Sequence, residues 1–288
     1  MIKETNHPKI SLIVLTLVIL FYYPAFTQEK PNIIFIMADD LGYGDVGVYG
    51  QQLIKTPNID LLSAQGMRFS DYYSGAAVCA PARSVLMTGL HTGHTRIRGN
   101  FGKGGVVGLA GKQGRVPIKE EDLTIAEFLQ ENGYKTGMIG KWGLGEPNTS
   151  GEPNKKGFDY FYGFYNQRRA HSYYPDYIWE NTNKVKLHGN ENEQNHQYTH
   201  NLFADKSINF IDRNFEKPFF LYLPFCIPHS RYELPDNGIY THKVGWTDLQ
   251  KKYAAMVTRL DETVGRIIKR LNALGIADKT YIFFTSDN

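Results

Sequence analysis

Residues 31–45 read PNIIFIMADDLGYGD. Asn32–Ala38 is a near-continuous apolar run without alternation, the pattern of a strand buried on both faces. Such strands belong to parallel sheets covered by helices. The run ends on Asp39 and Asp40, and Gly42 and Gly44 follow as turn formers. Outward from this strand, helical and strand patterns alternate. Thr56-Pro57 opens a helix, with Thr as cap and Pro at the first helical position, and Gly66 closes it. A helix from about Thr124 to Asn132 stops at Gly133 and leads into a strand, Tyr134–Ile139. Another, about Thr199–Asn214, precedes the strand Phe219–Leu223. The clearest helix runs from near Asp248 to Gly275: Tyr253, Met256, Leu260, Val264, Ile267, Leu271 and Leu274 recur at intervals of three and four. The strand Tyr281–Thr285 comes next. There is no internal repeat. The pattern predicts an α/β fold, a large mixed and mainly parallel sheet flanked by helices.

In such sheets ligands bind beyond the carboxyl ends of the strands. Asp39 and Asp40 follow the first strand, Lys141 the second, His229 the third, and Asp287 and Asn288 the last. Asp39, Asp40, Asp287 and Asn288 form an all-oxygen donor set, suited to a hard cation, Ca²⁺ more readily than Zn²⁺. Taken alone, Asp39-Asp40 reads as a turn. Cys79, in Cys79-Ala80-Pro81-Ala82-Arg83-Ser84, falls at the start of a helix whose first turn holds Pro81. A cysteine there is electropositive and reactive, or else a buried structural thiol. Lys141 alone reads as a loop charge and His229 as a turn residue after Pro228.

Cys79-x-Pro81-x-Arg83 followed by Thr88-Gly89 resembles the sulfatase signature of the alkaline-phosphatase-like superfamily. Residues 31–45 are similar to that family's opening strand and metal-binding pair. Gly140-Lys141-Trp142, Pro228-His229 and Ser286-Asp287-Asn288 match its later blocks in the same order. The resemblance spans about Pro31 to Asn288. It implies that a maturation enzyme oxidises Cys79 to formylglycine. One hydroxyl of the hydrated aldehyde attacks sulfur, and the second lets the sulfated intermediate eliminate sulfate. It also implies that Asp39, Asp40, Asp287 and Asn288 bind Ca²⁺ together with the modified Cys79. Arg83 would then hold the formylglycine, Lys141 bind sulfate oxygens, and His229 protonate the leaving alcohol.

Two features depart from the family pattern. Many members carry Gly-Lys-Trp-His-Leu-Gly, whose His contacts the formylglycine hydroxyl; this chain has Gly143 there. His171, in the loop region after that block, is the expected substitute and a substrate-binding candidate, with a plain surface loop histidine as the alternative. Family members also continue to a further sulfate-binding Lys and a smaller C-terminal subdomain, absent from these 288 residues. The expectation is an incomplete catalytic domain over 28–288, impaired and exposing core surface.

Gly157–Trp179 holds Phe158, Tyr160, Phe161, Tyr162, Phe164, Tyr165, Tyr173, Tyr174, Tyr177 and Trp179, interrupted by Arg168, Arg169 and His171. Stacking rings and cations suit a sulfated sugar, although packing accounts for most such aromatics. Arg96, Arg98 and Lys103 beside Gly102–Gly111 suggest a second anion-facing loop. Cys226 reads as a buried thiol, unbridged to Cys79.

Composition bounds the rest. At 42% hydrophobic and 21% charged, the chain is neither disordered nor, with 2 Cys, a disulfide scaffold. A net charge of +3 gives no nucleic-acid footprint. Lys3 and Lys9 precede an apolar run, Ile10 to Tyr23, and Ala25-Phe26-Thr27 resembles a cleavage site. That run is shorter than the ~20 residues of a membrane span, so 1–27 reads as a signal peptide. An uncleaved anchor is the alternative. The expectation is an exported periplasmic or secreted sulfuric ester hydrolase, with no stable membrane span, acting on a sulfated carbohydrate or aryl sulfate. Rivals are a phosphomonoester or phosphodiester hydrolase of the same superfamily and a non-catalytic binder of sulfated glycans.

Overall fold

The structure, a computed structural model, describes residues 29–102, 106–108 and 111–288. The leader read over 1–27 and Lys103 lie outside the described residues. Seven strands form one sheet: β1 (Asn32–Ala38), β4 (Lys135–Lys141), β5 (Tyr160–Phe164), β6 (Tyr177–Glu180), β7 (Asn183–Lys186), β8 (Phe219–Pro224) and β9 (Thr280–Ser286). Their order is β7-β6-β5-β4-β8-β1-β9. β5, β4, β8, β1 and β9 run parallel, and β6 and β7 are antiparallel additions. The sheet is mixed and mainly parallel, as the apolar runs require. A separate hairpin pairs β2 (Val106–Gly108) with β3 (Gly111–Arg115).

Helices cover both faces: α1 (Pro57–Ala64), α2 (Cys79–Thr88), α3 (Ile125–Glu131), α4 (Thr199–Asn214) and α5 (Asp248–Ala273). α5 starts on a capping box, Thr247 with Gln250. Its stripe of Met256, Val257, Leu260, Val264 and Ile267 is wholly buried in the larger core cluster, each side chain contributing about 1.5–3 kcal/mol. The opposite face of the sheet packs Met37, Met138, Phe161, Phe220 and Tyr222 against Ala80, Met87 and Ala126.

One expectation about local structure changes and another holds. Thr56 makes no side-chain cap bond to α1. The buried carboxylate of Asp261, on α5, accepts the N–H groups of Asn58 (2.9 Å) and Ile59 (2.7 Å) instead. A charged acceptor delivered by tertiary packing satisfies the orphan donors better than the local hydroxyl. The aromatic stretch after Gly157 is chiefly sheet and core: Phe158, Phe161, Tyr162, Phe164, Tyr165 and Tyr173 are buried, as the packing alternative has it. At the sheet's β9 edge, Tyr281 and Phe283 are exposed.

Candidate active site

The parallel strands deliver their C-terminal residues to one edge. The N–H of Asp287 donates to the Ala38 carbonyl (3.0 Å), that of Asp40 to Asp287 Oδ1 (3.2 Å), and that of Leu41 to Ser286 Oγ (2.9 Å). These bonds hold the ends of β1 and β9 together. Asp40 takes a left-handed backbone, φ 59°, a conformation Asp tolerates better than most residues. Asp39 is buried, and the Asp40 side chain is partly exposed.

Lys141 is the last residue of β4. Gly140 precedes it at φ 136°, where a Cβ would lie 2.1 Å from the Pro224 carbonyl oxygen. Only glycine permits that approach of β4 to the end of β8. Lys141 is fully buried, and its Nζ donates to Asp39 Oδ2 at 2.6 Å. α2 brings in Cys79 and, one turn on, Arg83. The Arg83 guanidinium donates to Asp287 Oδ2 from Nε (3.1 Å) and Nη2 (2.7 Å), and from Nη1 to the Lys141 carbonyl (2.7 Å).

The electrostatics follow from burial against pairing. Burial opposes the ionised form of Asp39, but Lys141 and Arg83 outweigh it and hold the carboxyl below its ordinary range. Burial likewise disfavours a charged Lys141 and Arg83, and the facing carboxylates, Asp39 and Asp287 respectively, keep both protonated. The Cys79 thiol is pushed up to about 12, by burial first, with Asp39 and Asp287 adding to it against Lys141. Its Sγ donates to Asp39 Oδ1 at 3.4 Å. This corrects the expectation of a reactive, electropositive cysteine: desolvation and two carboxylates overcome the helix N-terminus, and the unmodified thiol stays neutral.

His229 follows β8. Its Nε2 lies 3.3 Å from Asp40 Oδ2. The Tyr173 hydroxyl lies 2.8 Å from its carbonyl oxygen and 2.9 Å from that of Cys226. His171 stacks on His229, ring centroids 3.7 Å apart and planes at 20°. Its Nε2 is 3.5 Å from Lys141 Nζ. An ammonium only donates, so Nε2 accepts and the proton of the neutral ring sits on Nδ1. Burial, followed by the charge of Lys141, lowers the His171 pKa to about 3.

The structure gathers a mixed donor set, of which the carboxylates are the part suited to a hard cation. Ligand atoms of Asp39, Asp40, Cys79 and His229 lie within 4.8 Å of one another. Asp287 stands behind them, bonded to Arg83 and to the Asp40 N–H. The Asn288 Nδ2 donates to Asp40 Oδ1 (3.0 Å) and Asp287 Oδ1 (2.6 Å), so its amide turns the donor side to the carboxylates rather than the carbonyl expected of a ligand. Three carboxylates face one ammonium and one guanidinium, which leaves a net negative charge that a divalent cation would reverse.

All the sequence-derived site residues, His171 included, therefore meet at one edge. Of the second anion-facing loop, only Arg96 and Arg98 can be followed, and both have partners within the protein. Arg96 is bound to Asp122 and Glu121, and Arg98 donates to the carbonyls of Thr95 and Gly93. Cys226 is a free, buried thiol, as is Cys79. Sequence reasoning missed Asn100, whose Oδ1 accepts the Ala80 N–H at 3.1 Å and so caps α2 beside Cys79. It also missed Gln167, which donates from Nε2 to the same oxygen at 2.9 Å. Neither carries a charge or sits in a motif. Gly143 was the available signal: φ is 81°, and a Cβ there would lie 2.9 Å from Gln167 Oε1.

A family model described as Sulfatase matches residues 31–288. An arylsulfatase of Hemicentrotus pulcherrimus is 34% identical over 277 residues, covering 90% of this chain and 47% of that protein. The N-acetylgalactosamine-6-sulfatase of Homo sapiens is 30% identical over 279 residues, covering 90% and 50%. The chain thus spans about half the length of the curated relatives it matches. The crystal structure of Ps i-CgsB in complex with k-i-k-neocarrahexaose superposes with a TM-score of 0.77 at 33% identity, covering 90% of this chain and 59% of that one.

Proposed function

From the premise that this chain belongs to the sulfatase family, we propose that the protein hydrolyses sulfate esters of carbohydrates at Cys79. The observation that carries this reading is the paired cluster around Cys79. Two buried cations, Arg83 and Lys141, are held by two buried carboxylates, Asp287 and Asp39, at the mouth of a parallel sheet. Such fixed charges stabilise an anionic group in flight without reorganising.

Formylglycine at position 79, made by a sulfatase-maturation enzyme, would supply through its hydrate an attacking hydroxyl and a second hydroxyl for sulfate release. Ca²⁺ held by Asp39, Asp40, Asp287 and Asn288 would supply positive charge beside a sulfate oxygen and favour ionisation of that hydroxyl. Arg83, anchored on Asp287, orients position 79. Lys141 presents its ammonium to sulfate oxygens. His229, at the rim, is placed to protonate the leaving alcohol oxygen. His171, neutral and stacked on His229, is the substitute for the imidazole that Gly143 lacks; its lone pair on Nε2 also fixes the Lys141 ammonium. Gly143 is not simply a loss, because Gln167 fills the direction its side chain would take.

The carbohydrate class rests on the likeness to the structure solved with neocarrahexaose. A leader over 1–27 would export the protein to the periplasm or the medium. Among the described residues no helix is long and apolar enough to cross a membrane.

The test is a substrate panel on the protein expressed from its gene together with a maturation enzyme. Aryl sulfate, sulfated saccharides and the matching phosphate esters are compared at saturating Ca²⁺. Sulfate release exceeding phosphate release supports the proposal. Phosphate release alone would give the site to the phosphoester rival, and glycan binding without turnover to the binder.

A further inference from the structure

Tyr173 lies two residues after His171, wholly buried, and the proposed chemistry gives it no part. Its hydroxyl meets two acceptors at once, the backbone carbonyls of Cys226 (2.9 Å) and His229 (2.8 Å). These are the first and last carbonyls of a four-residue turn, which the His229 N–H closes onto the Cys226 carbonyl at 3.2 Å. A phenol carries one proton and a carbonyl none, so that proton is shared between the two ends of the turn. The rest of Tyr173 is fixed as well. Its carbonyl accepts the N–H (3.0 Å) and the hydroxyl (3.1 Å) of Thr199 at the start of α4, and its own N–H donates to Glu233 Oε2 at 3.3 Å.

The His229 imidazole hangs from this turn. Its Nδ1 faces the Ser230 carbonyl at 3.2 Å, a tie to the next residue only. Its Nε2 points to the rim beside Asp40, and His171 covers one face of the ring. The short segment from His171 to Tyr173 thus grips His229 twice, on the ring through the stack and on the backbone through the phenol. Of the two, the phenol acts at a distance from the reacting atoms, so removing its oxygen leaves the chemistry intact and loosens only the turn that aims Nε2.

We propose that Tyr173 is a positioning residue for proton donation, tying both ends of the turn so that His229 Nε2 faces the place of the leaving alcohol. This rests on the sulfatase reading and deepens it. As the bond between sulfur and the ester oxygen breaks, that oxygen keeps the electron pair and takes the proton from Nε2, while sulfur bonds to the oxygen at residue 79. A p-nitrophenolate leaves without that proton, and a sugar alkoxide does not. The hydroxyl of Tyr173 therefore matters in proportion to the basicity of the alcohol expelled.

The experiment compares p-nitrophenyl sulfate with esters of more basic alcohols, phenyl sulfate and galactose 2-, 3-, 4- and 6-sulfate, on the matured protein expressed from its gene. In Tyr173→Phe, kcat for the best of the more basic esters should fall about tenfold or more with KM unchanged, and kcat for p-nitrophenyl sulfate less than about twofold. In a His229→Gln background the same change should cost nothing further. Should Tyr173→Phe fail to fold, Thr199→Val, which takes one donor from the Tyr173 carbonyl, should give the same selective loss at a smaller size. An equal fall for all esters, as a general loosening of the fold would give, would overturn the assignment. So would an unchanged rate on the more basic esters, or a further fall in the His229→Gln background. Wild-type protein that hydrolyses none of these sulfates would overturn the sulfatase reading, and the role of Tyr173 with it.

Discussion

The charged centre and the Asn100 cluster lie side by side and obey opposite rules. In the centre every buried charge has its partner, Arg83 with Asp287 and Lys141 with Asp39, and the neutral ring of His171 lies against Lys141. In the cluster, Gln167 and Arg115, which donates to the Asn100 carbonyl, each keep one polar atom unused. A saturated network is rigid and suits a group that never varies, here a sulfate. An unsaturated one carries the cost of hydration that is not replaced.

That contrast can be broken most severely at the centre. Arg83→Met leaves Asp287, 1% exposed, without its counter-charge, and should cost about 3–5 kcal/mol of folding stability. Denaturant unfolding measures it; a cost below about 1 kcal/mol would mean that the pairing is not what holds α2 to β9. A second effect depends on pH. His200 is buried, bonded to Thr263 through Nε2, with its pKa lowered to about 3, by burial first. Folded protein therefore binds fewer protons than unfolded between that value and the ordinary 6.5, and stability falls as pH drops through this window. His200→Phe should flatten this acid limb by on the order of a few kcal/mol at pH 4. Parallel melting curves at pH 4 and pH 8 would count against a buried neutral His200.

Smaller changes sharpen the boundary between the two regions. Gly143→Ala places a Cβ at φ 81°, 2.9 Å from Gln167 Oε1. The strain should cost about 1–2 kcal/mol of folding stability, read by denaturant unfolding. An unchanged stability would separate Gly143 from the cluster. Smallest of all, Arg96→Ala removes a half-exposed pair with Asp122 and Glu121 and should cost no more than about 1 kcal/mol. A large loss of affinity for sulfated sugar in that variant would give Arg96 an anion-facing role instead.

The framework of the fold was legible because its signals are local. The apolar runs of β1 and β8, and the three-four spacing on α5, report burial directly, while the run of β9 marks a strand whose Tyr281 and Phe283 are exposed at the sheet edge; the expected helix Thr199–Asn214 coincides with α4. The charged centre was legible because its residues sit in ordered motifs just past strand ends. The rest depends on contacts between distant parts of the chain. Asp261 caps a helix about two hundred residues earlier. Asp40 adopts a left-handed turn that its side-chain type only permits. β5 was hidden in an aromatic stretch whose alternation is masked by burial on both faces, and β7 is a short, largely exposed polar strand with no apolar pattern to read. Asn100 and Gln167 are amides in loops, and only their meeting beside Ala80 gives them meaning.

The most direct measurement combines inorganic sulfate release from an aryl sulfate with the mass of the peptide carrying residue 79, in matured wild-type protein and in Cys79→Ala. Wild-type protein should carry formylglycine at 79 and release sulfate, and Cys79→Ala should lose at least about a thousandfold of that rate. Sulfate release that survives in Cys79→Ala, or a fully converted residue 79 with no sulfate released from any ester, would contradict hydrolysis at this centre.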